Sequence, residues 1–100
     1  MLPRNRQPTH PGEMLLEEFL KPKEISQKRF AEHIGVTLAR VSEIVHGRRG
    51  VTPETAWLFS EALGTTPEFW IHLQTAYDLA TAKPRRHVRL LPELKKRAAG

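Results

Sequence analysis

Apolar residues along this chain recur at helical rather than strand spacing, and short polar breaks divide them into five segments. In the first, Leu15 with Phe19 and Leu16 with Leu20 pair four residues apart, which predicts a helix over Pro11–Leu20. Pro11 suits a first helical position, Glu13, Glu17 and Glu18 suit the positive helix end or solvent, and Pro22 ends the segment. Ser26 can cap a second helix whose Phe30, Ala31 and Ile34 share a face. Gly35 stands where the chain must leave that helix in a left-handed conformation, which glycine adopts at least cost. Thr37 can cap a third helix, Leu38–Val45, with Val41 and Ile44 inward and Gly47 as its closing residue. Thr52-Pro53 opens a fourth, which carries Ala56, Phe59 and Leu63 on one face, Trp57 and Leu58 beside it, and ends at Gly64. Thr66-Pro67 opens a fifth in the same way, running to about Thr81. Nothing alternates convincingly enough to make a sheet, so the expected fold is all-α with five helices.

The stretch Gln27 to Val45 has the spacing of a DNA-binding helix-turn-helix, whose second helix enters the major groove. If Val41 and Ile44 face inward, a step of about 100° per residue turns Ala39, Arg40 and Glu43 outward, with Thr37, Leu38 and Ser42 on the flanks. These six are the candidate base contacts. The fork of Arg40 can take guanine O6 and N7, or a phosphate. Thr37 can donate to phosphate or base, Leu38 and Ala39 can touch a thymine methyl, and Ser42 is small enough for close approach. Glu43 has three open roles: accepting from cytosine N4, orienting Arg40, or forming a structural ion pair. Arg48 and Arg49 follow on a loop beside the groove, where they can neutralise phosphates without carrying sequence information. A helical hairpin that packs a bundle without touching nucleic acid has the same apolar pattern, so charge must separate the two readings.

The net charge of +5 is unevenly spread. Residues 1–25 sum to zero, 26–50 to +3, 51–82 to −4, and 83–100 to +6. A basic helix-turn-helix backed by an acidic region suits a protein with one DNA face and a different opposite face.

The fifth helix carries more apolar surface than one surface helix of a small domain usually hides. Phe69, Leu73, Ala76 and Ala80 make one stripe, and Trp70, Leu73 and Tyr77 a second. Either the helix completes the monomer core, or Phe69, Trp70, Leu73 and Tyr77 form a self-complementary contact that pairs two recognition helices roughly 34 Å apart. A homodimer is the expectation, because aromatic residues are enriched at interfaces. After Lys83-Pro84 the chain is basic, broken by Pro92, with Val88, Leu90, Leu91 and Leu94 as its apolar residues. The expected organisation is a flexible lead-in over 1–9, a DNA-binding and dimerisation domain over 10–82, and a basic tail over 83–100 that orders on a partner or adds DNA affinity.

Other classes find little support. There is no cysteine, hence no disulfide framework or thiolate metal site, which fits a cytoplasmic protein. No apolar run approaches the ~20 residues of a membrane span, and the start lacks the apolar core of a signal peptide. His10 reads as a capping or turn residue rather than a ligand, and no metal or other cofactor is expected. No nucleophile–base pair or phosphate-cradling glycine loop points to an enzyme.

At Gln27, Phe30, Ala31, Ile34, Gly35, Val36, Val41 and Ile44 the chain resembles the Cro/C1-type (XRE, lambda repressor-like) helix-turn-helix family. The flanking runs HPGEMLLEEFLKP, HGRRGVTPETA and ALGTTPEFWIHLQTAYDL resemble one branch of it, the HigA/VapI-type antitoxins of bacterial type II toxin–antitoxin modules. The likeness covers roughly residues 10 to 80. It implies a dimer that binds a palindromic operator in its own promoter on double-stranded DNA, and neutralises a small RelE-like (HigB-type) mRNA-cleaving toxin. It also makes Gln27 and Lys28, at the N-terminus of the second helix, candidate phosphate contacts. A stand-alone repressor of prophage or metabolic type, and an interaction module that has lost DNA binding, are the alternatives. The family's turn before Ser26 contains a glycine, and here Glu24 stands in that segment.

Overall fold

The computed structural model describes residues 8–82 and 84–95, and the described residues contain helices and no strand. The lead-in expected over residues 1–9 lies mostly outside them. The first helix begins as α1 (Pro11–Met14), continues without a break through a π-helical stretch, Leu15–Leu20, and ends in a 3-10 turn, Lys21–Lys23. Then come α2 (Gln27–Ile34), α3 (Leu38–Val45), α4 (Pro53–Leu63) and α5 (Pro67–Thr81). Four hydroxyl caps start the later helices where the sequence places them: Ser26, Thr37, Thr52 and Thr66 each accept from the backbone N–H three residues on.

The π stretch departs from the expected helix and changes which residues enter the core. In an α-helix residues five apart diverge by about 140° around the axis. Hydrogen bonds to the fifth residue back, such as Lys21 N–H to the Leu16 carbonyl, widen the turn and bring such residues closer to one line. Leu15 and Leu20 are accordingly both completely buried, while Leu16 and Phe19 are only half-buried. Pro22 does not stop the helix at Leu20; it sits in the closing 3-10 turn, Lys21–Lys23, whose residues are all exposed. The stop comes at Glu24, a left-handed residue at φ 54° that holds the turn before Ser26 without a glycine.

The core joins all five helical segments: Leu15 and Leu20, Phe30 and Ala31, Val41 and Ile44, Ala56 and Phe59, and Trp70, with Val51 from the loop before α4. Aromatic rings form its centre. Phe59 meets Phe30 and Trp70 edge-on at 5.5 and 5.1 Å, and Trp70 also meets Phe69 at 5.0 Å. The Trp70 indole N–H donates to the Thr65 hydroxyl at 2.7 Å, so its polar atom is satisfied. Trp70 is therefore fully inside the monomer and presents no surface to a second copy. The physical reason is the register of α5. Its buried line is Trp70 and Gln74 with Tyr77 half-buried, and the stripe of Phe69, Leu73, Ala76 and Ala80 runs along its edge, with Ala76 exposed.

His10 caps α1 as expected: its Nδ1 accepts from Gly12 N–H at 2.9 Å, and its ring stands edge-on to Tyr77 at 4.8 Å. Burial lowers the pKa of His10 below the usual histidine value, against the opposing fields of Asp78 and Glu13. A lowered folded-state pKa means the unfolded chain binds the proton more readily. The stabilisation is thus fully present above about pH 6.5 and is lost as pH falls through the folded-state value. Urea midpoints of the wild type are expected to drop over that range, and His10→Asn, which keeps a cap acceptor without the titration, is expected to flatten the profile. Equal pH dependence in both proteins would contradict the role given to His10.

Candidate nucleic-acid interface

Two caps and one turn build the motif. Gly35, at φ 80°, closes α2, and Val36 N–H returns to the Ala31 carbonyl at 3.1 Å. Thr37 Oγ1 then accepts from Arg40 N–H at 3.1 Å, so only three residues, Gly35 to Thr37, separate the two helices. Phe30 and Ala31 of α2 and Val41 and Ile44 of α3 are all buried, which sets the angle between the two helices. Behind α3 the fit is tighter still: a Cβ on Gly12 would lie 1.7 Å from the Ile44 carbonyl oxygen, so only glycine lets α1 approach the recognition helix this closely.

The outer surface of α3 differs in one respect from the expected arrangement. Leu38, 48% exposed, and Ala39 face solvent, with Thr37 exposed at the cap and Ser42 and Glu43 half-buried beside them. Arg40 does not point outward. It lies one turn before Ile44 and about 40° from it around the axis, on the flank nearest α4. Its Nη2 stands 3.5 Å from Glu54 Oε1 on the first turn of α4, and its Nε is buried without a partner. Of the three roles open to Glu43, the structure shows the ion pair, made with Arg49 at 2.8 Å rather than with Arg40. That pair offsets the acid on the outer face of α3. His46 Nδ1 lies 2.8 Å from the Ser42 carbonyl, and Gly47 follows at φ 76°. Gln27 is half-buried at the N-terminus of α2, and Lys28, Arg48 and Arg49 are exposed. Of the four residues expected at a dimer contact, Phe69, Leu73 and Tyr77 are half-buried on α5 and Trp70 is in the core.

Gln74 is a determinant that the apolar pattern does not reveal. It is 9% exposed on α5, and its Oε1 accepts from Val51 N–H at 2.7 Å while its Nε2 donates to Asp78 Oδ1 at 2.9 Å. Gly50 packs against the same amide, since a Cβ there would be 3.0 Å from Gln74 Cδ. The side chain thereby pins the loop leaving the recognition helix to α5. Its signal in the sequence is a polar residue four positions after Trp70 and three before Tyr77, on the line an apolar residue would take. Among the described residues no helix is long and apolar enough to cross a membrane.

A basic helix-turn-helix braced from behind by three further helices defines a DNA-binding protein of the Cro/C1 architecture. A family model described as helix-turn-helix matches residues 16–70. Antitoxin HigA-1 of Vibrio cholerae is 44% identical over 81 residues, covering 80% of this chain and 75% of that protein. Virulence-associated protein I of Dichelobacter nodosus is 41% identical over the same length, again 80% and 75%. The structure of antitoxin GraA in complex with its operator superposes with a TM-score of 0.77 at 40% identity, covering 91% of this chain and 99% of that one. The chain belongs to the XRE-type helix-turn-helix family, among its HigA/VapI-type antitoxins and their regulator relatives, which are DNA-binding proteins and not enzymes.

Replacing Gln74 by leucine leaves Val51 N–H buried without an acceptor. The expected cost is about 1–3 kcal/mol of unfolding free energy, measurable by urea denaturation. A loss below about 0.5 kcal/mol would mean that the Gln74 bridge does not hold the loop.

Proposed function

We propose that the chain is the DNA-binding antitoxin of a type II toxin–antitoxin module, acting in the cytoplasm, binding its own operator as a homodimer and neutralising a small RelE-like mRNA-cleaving toxin. Residues 10–82 carry DNA binding and dimerisation, and 83–100 form an appended basic tail. The observation that carries the DNA-binding part is the uncovered outer face of α3, backed by a closed core and flanked by cations. Leu38, Ala39 and Ser42 offer methyl and hydroxyl groups to base edges, and Thr37 offers a hydroxyl at the helix start. Gln27 and Lys28 at the N-terminus of α2, with Arg48 and Arg49 beyond α3, take phosphates. Arg40, held on the flank by Glu54, reaches a phosphate or a guanine at the edge of this face; Glu43 contributes chiefly by fixing Arg49. Phe69, Leu73 and Tyr77 line the copy–copy contact along the edge of α5, with Trp70 supporting it from the core.

The operator-bound antitoxin to which the chain is similar supports this reading, as does the match to antitoxins across helices that flank the motif. Two measurements test it. Arg40→Ala is expected to weaken binding to the chain's own promoter by about 1–3 kcal/mol, read by gel shift at fixed salt. An unchanged affinity removes Arg40 from the contact set. Affinity capture from native cells with nuclease present is expected to recover a stoichiometric small protein that cleaves RNA when freed. Recovery of this chain alone would favour a stand-alone repressor.

A further inference from the structure

The ring of His10 lies where the start of α1, the end of α3 and the middle of α5 meet. Its Nδ1 accepts from Gly12 N–H at 2.9 Å and so caps α1. Gly12 in turn packs on the Ile44 carbonyl so closely that no Cβ fits. On the other side of the ring, a Cβ on Gly47, in the turn that closes α3, would lie 3.9 Å from His10 Cδ2. Tyr77 of α5 meets the ring edge-on at 4.8 Å. His10 and Gly12 are both buried. One imidazole thereby fixes how α1 meets the recognition helix from behind.

The cap works in one protonation state. Accepting at Nδ1 requires the neutral ring with its proton on Nε2, whereas an imidazolium carries N–H at both nitrogens. A charged ring therefore turns a second donor toward Gly12 N–H across 2.9 Å. The bond is lost, and Gly12 N–H stays buried without an acceptor unless α1 shifts. There is room for the ring to turn: a cavity of about 350 Å³ opens beside it, lined by Thr9, Glu13, Val45, His46, Gly47 and Tyr77. Among the described residues the titratable groups facing the ring are Glu13 on α1, His46 at the end of α3, and Tyr77 and Asp78 on α5. Burial opposes the charge and outweighs the attraction of Asp78 and Glu13, so the ring charges on the acid side of pH 6.5. Asp78 also accepts from Gln74 Nε2, so a charged ring pulls on the second brace of the recognition helix, the one through Val51 N–H.

We infer that His10 is a positioning residue for the recognition helix, and that a proton on its ring loosens α1 from the end of α3 and lowers the preference of the chain for its operator. Base-edge contacts demand a fixed helix, whereas phosphate contacts carry no sequence information and tolerate a shifted one. The effect on DNA rests on the DNA-binding reading above; the coupling of His10 to α3 rests on the contacts alone.

The test uses the full chain. Fluorescence anisotropy gives its affinity for its own promoter duplex and for a scrambled duplex, from above pH 6.5 down to the lowest pH at which circular dichroism shows the chain folded. The ratio of the two affinities is the readout, because protonation of the exposed His33, His46 and His72 tightens both alike. The wild-type ratio is expected to fall about tenfold, the scale of one capping bond. His10→Asn keeps an acceptor for Gly12 N–H without the titration, and its ratio is expected to stay level. His10→Ala has no acceptor at any pH and is expected to show the reduced ratio already at neutral pH. Parallel profiles for the wild type and His10→Asn overturn the inference, as does an undiminished ratio in His10→Ala. A wild type with no preference for the promoter at neutral pH sinks the DNA-binding reading instead, and the coupling is then decided without DNA. Amide shifts of Ile44 to Gly47 that follow the His10 ring titration in the wild type and not in His10→Asn support it; amides that stay still overturn it.

Discussion

The recognition helix is eight residues long, and a helix that short is not stable by itself in water. Every other element can be understood as meeting that constraint. Thr37 caps its start, and Val41 and Ile44 anchor its inner face in a core centred on Phe59 and Trp70. Gly12 lets α1 lie directly against the Ile44 backbone. Glu54 holds Arg40 on one flank, and Gln74 pins the outgoing loop through Val51 N–H. The outer face of α3 owes its fixed position to contacts made entirely on the other sides.

Charge is distributed to match. The acid on the outer face of α3 is tied to Arg49, and the exposed cations gather at the start of α2 and the end of α3. The four acids of residues 51–82 lie on α4 and α5, beyond the motif in the chain. Glu54 is the exception in position, since it reaches back to the recognition helix. Its carboxylate is mostly exposed, so its pairing with Arg40 is a weak restraint that a phosphate can replace.

Much of this was legible in the sequence, for local reasons. Ser26, Thr37, Thr52 and Thr66 cap helices, and Gly35, Gly47 and Gly64 take left-handed conformations, because each such choice depends on residues within a few positions. The departures share a different cause. The π stretch at Leu15–Leu20 follows from packing against distant helices, and a four-residue apolar spacing does not reveal it. The flank position of Arg40 follows from its offset of about 40° from Ile44, which helix spacing already contains; what depends on tertiary arrangement is its partner, Glu54 of α4. The width of the apolar arc on α5 places Trp70 at a surface as readily as in the core, because it does not say which edge is covered. Gln74 escaped notice because its partner, Val51 N–H, is twenty-three residues away.

The central claim is that α3, braced from behind, presents Leu38 to Glu43 to DNA, with the start of α2 on the backbone. The most direct measurement is an amide chemical-shift titration of the labelled chain with a duplex spanning its own promoter, read against a scrambled duplex. The account predicts the largest specific shifts at Gln27, Lys28 and the residues from Leu38 to Glu43, with the core of α4 and α5 little changed. Shifts confined to the tail, or identical for both duplexes, would contradict it.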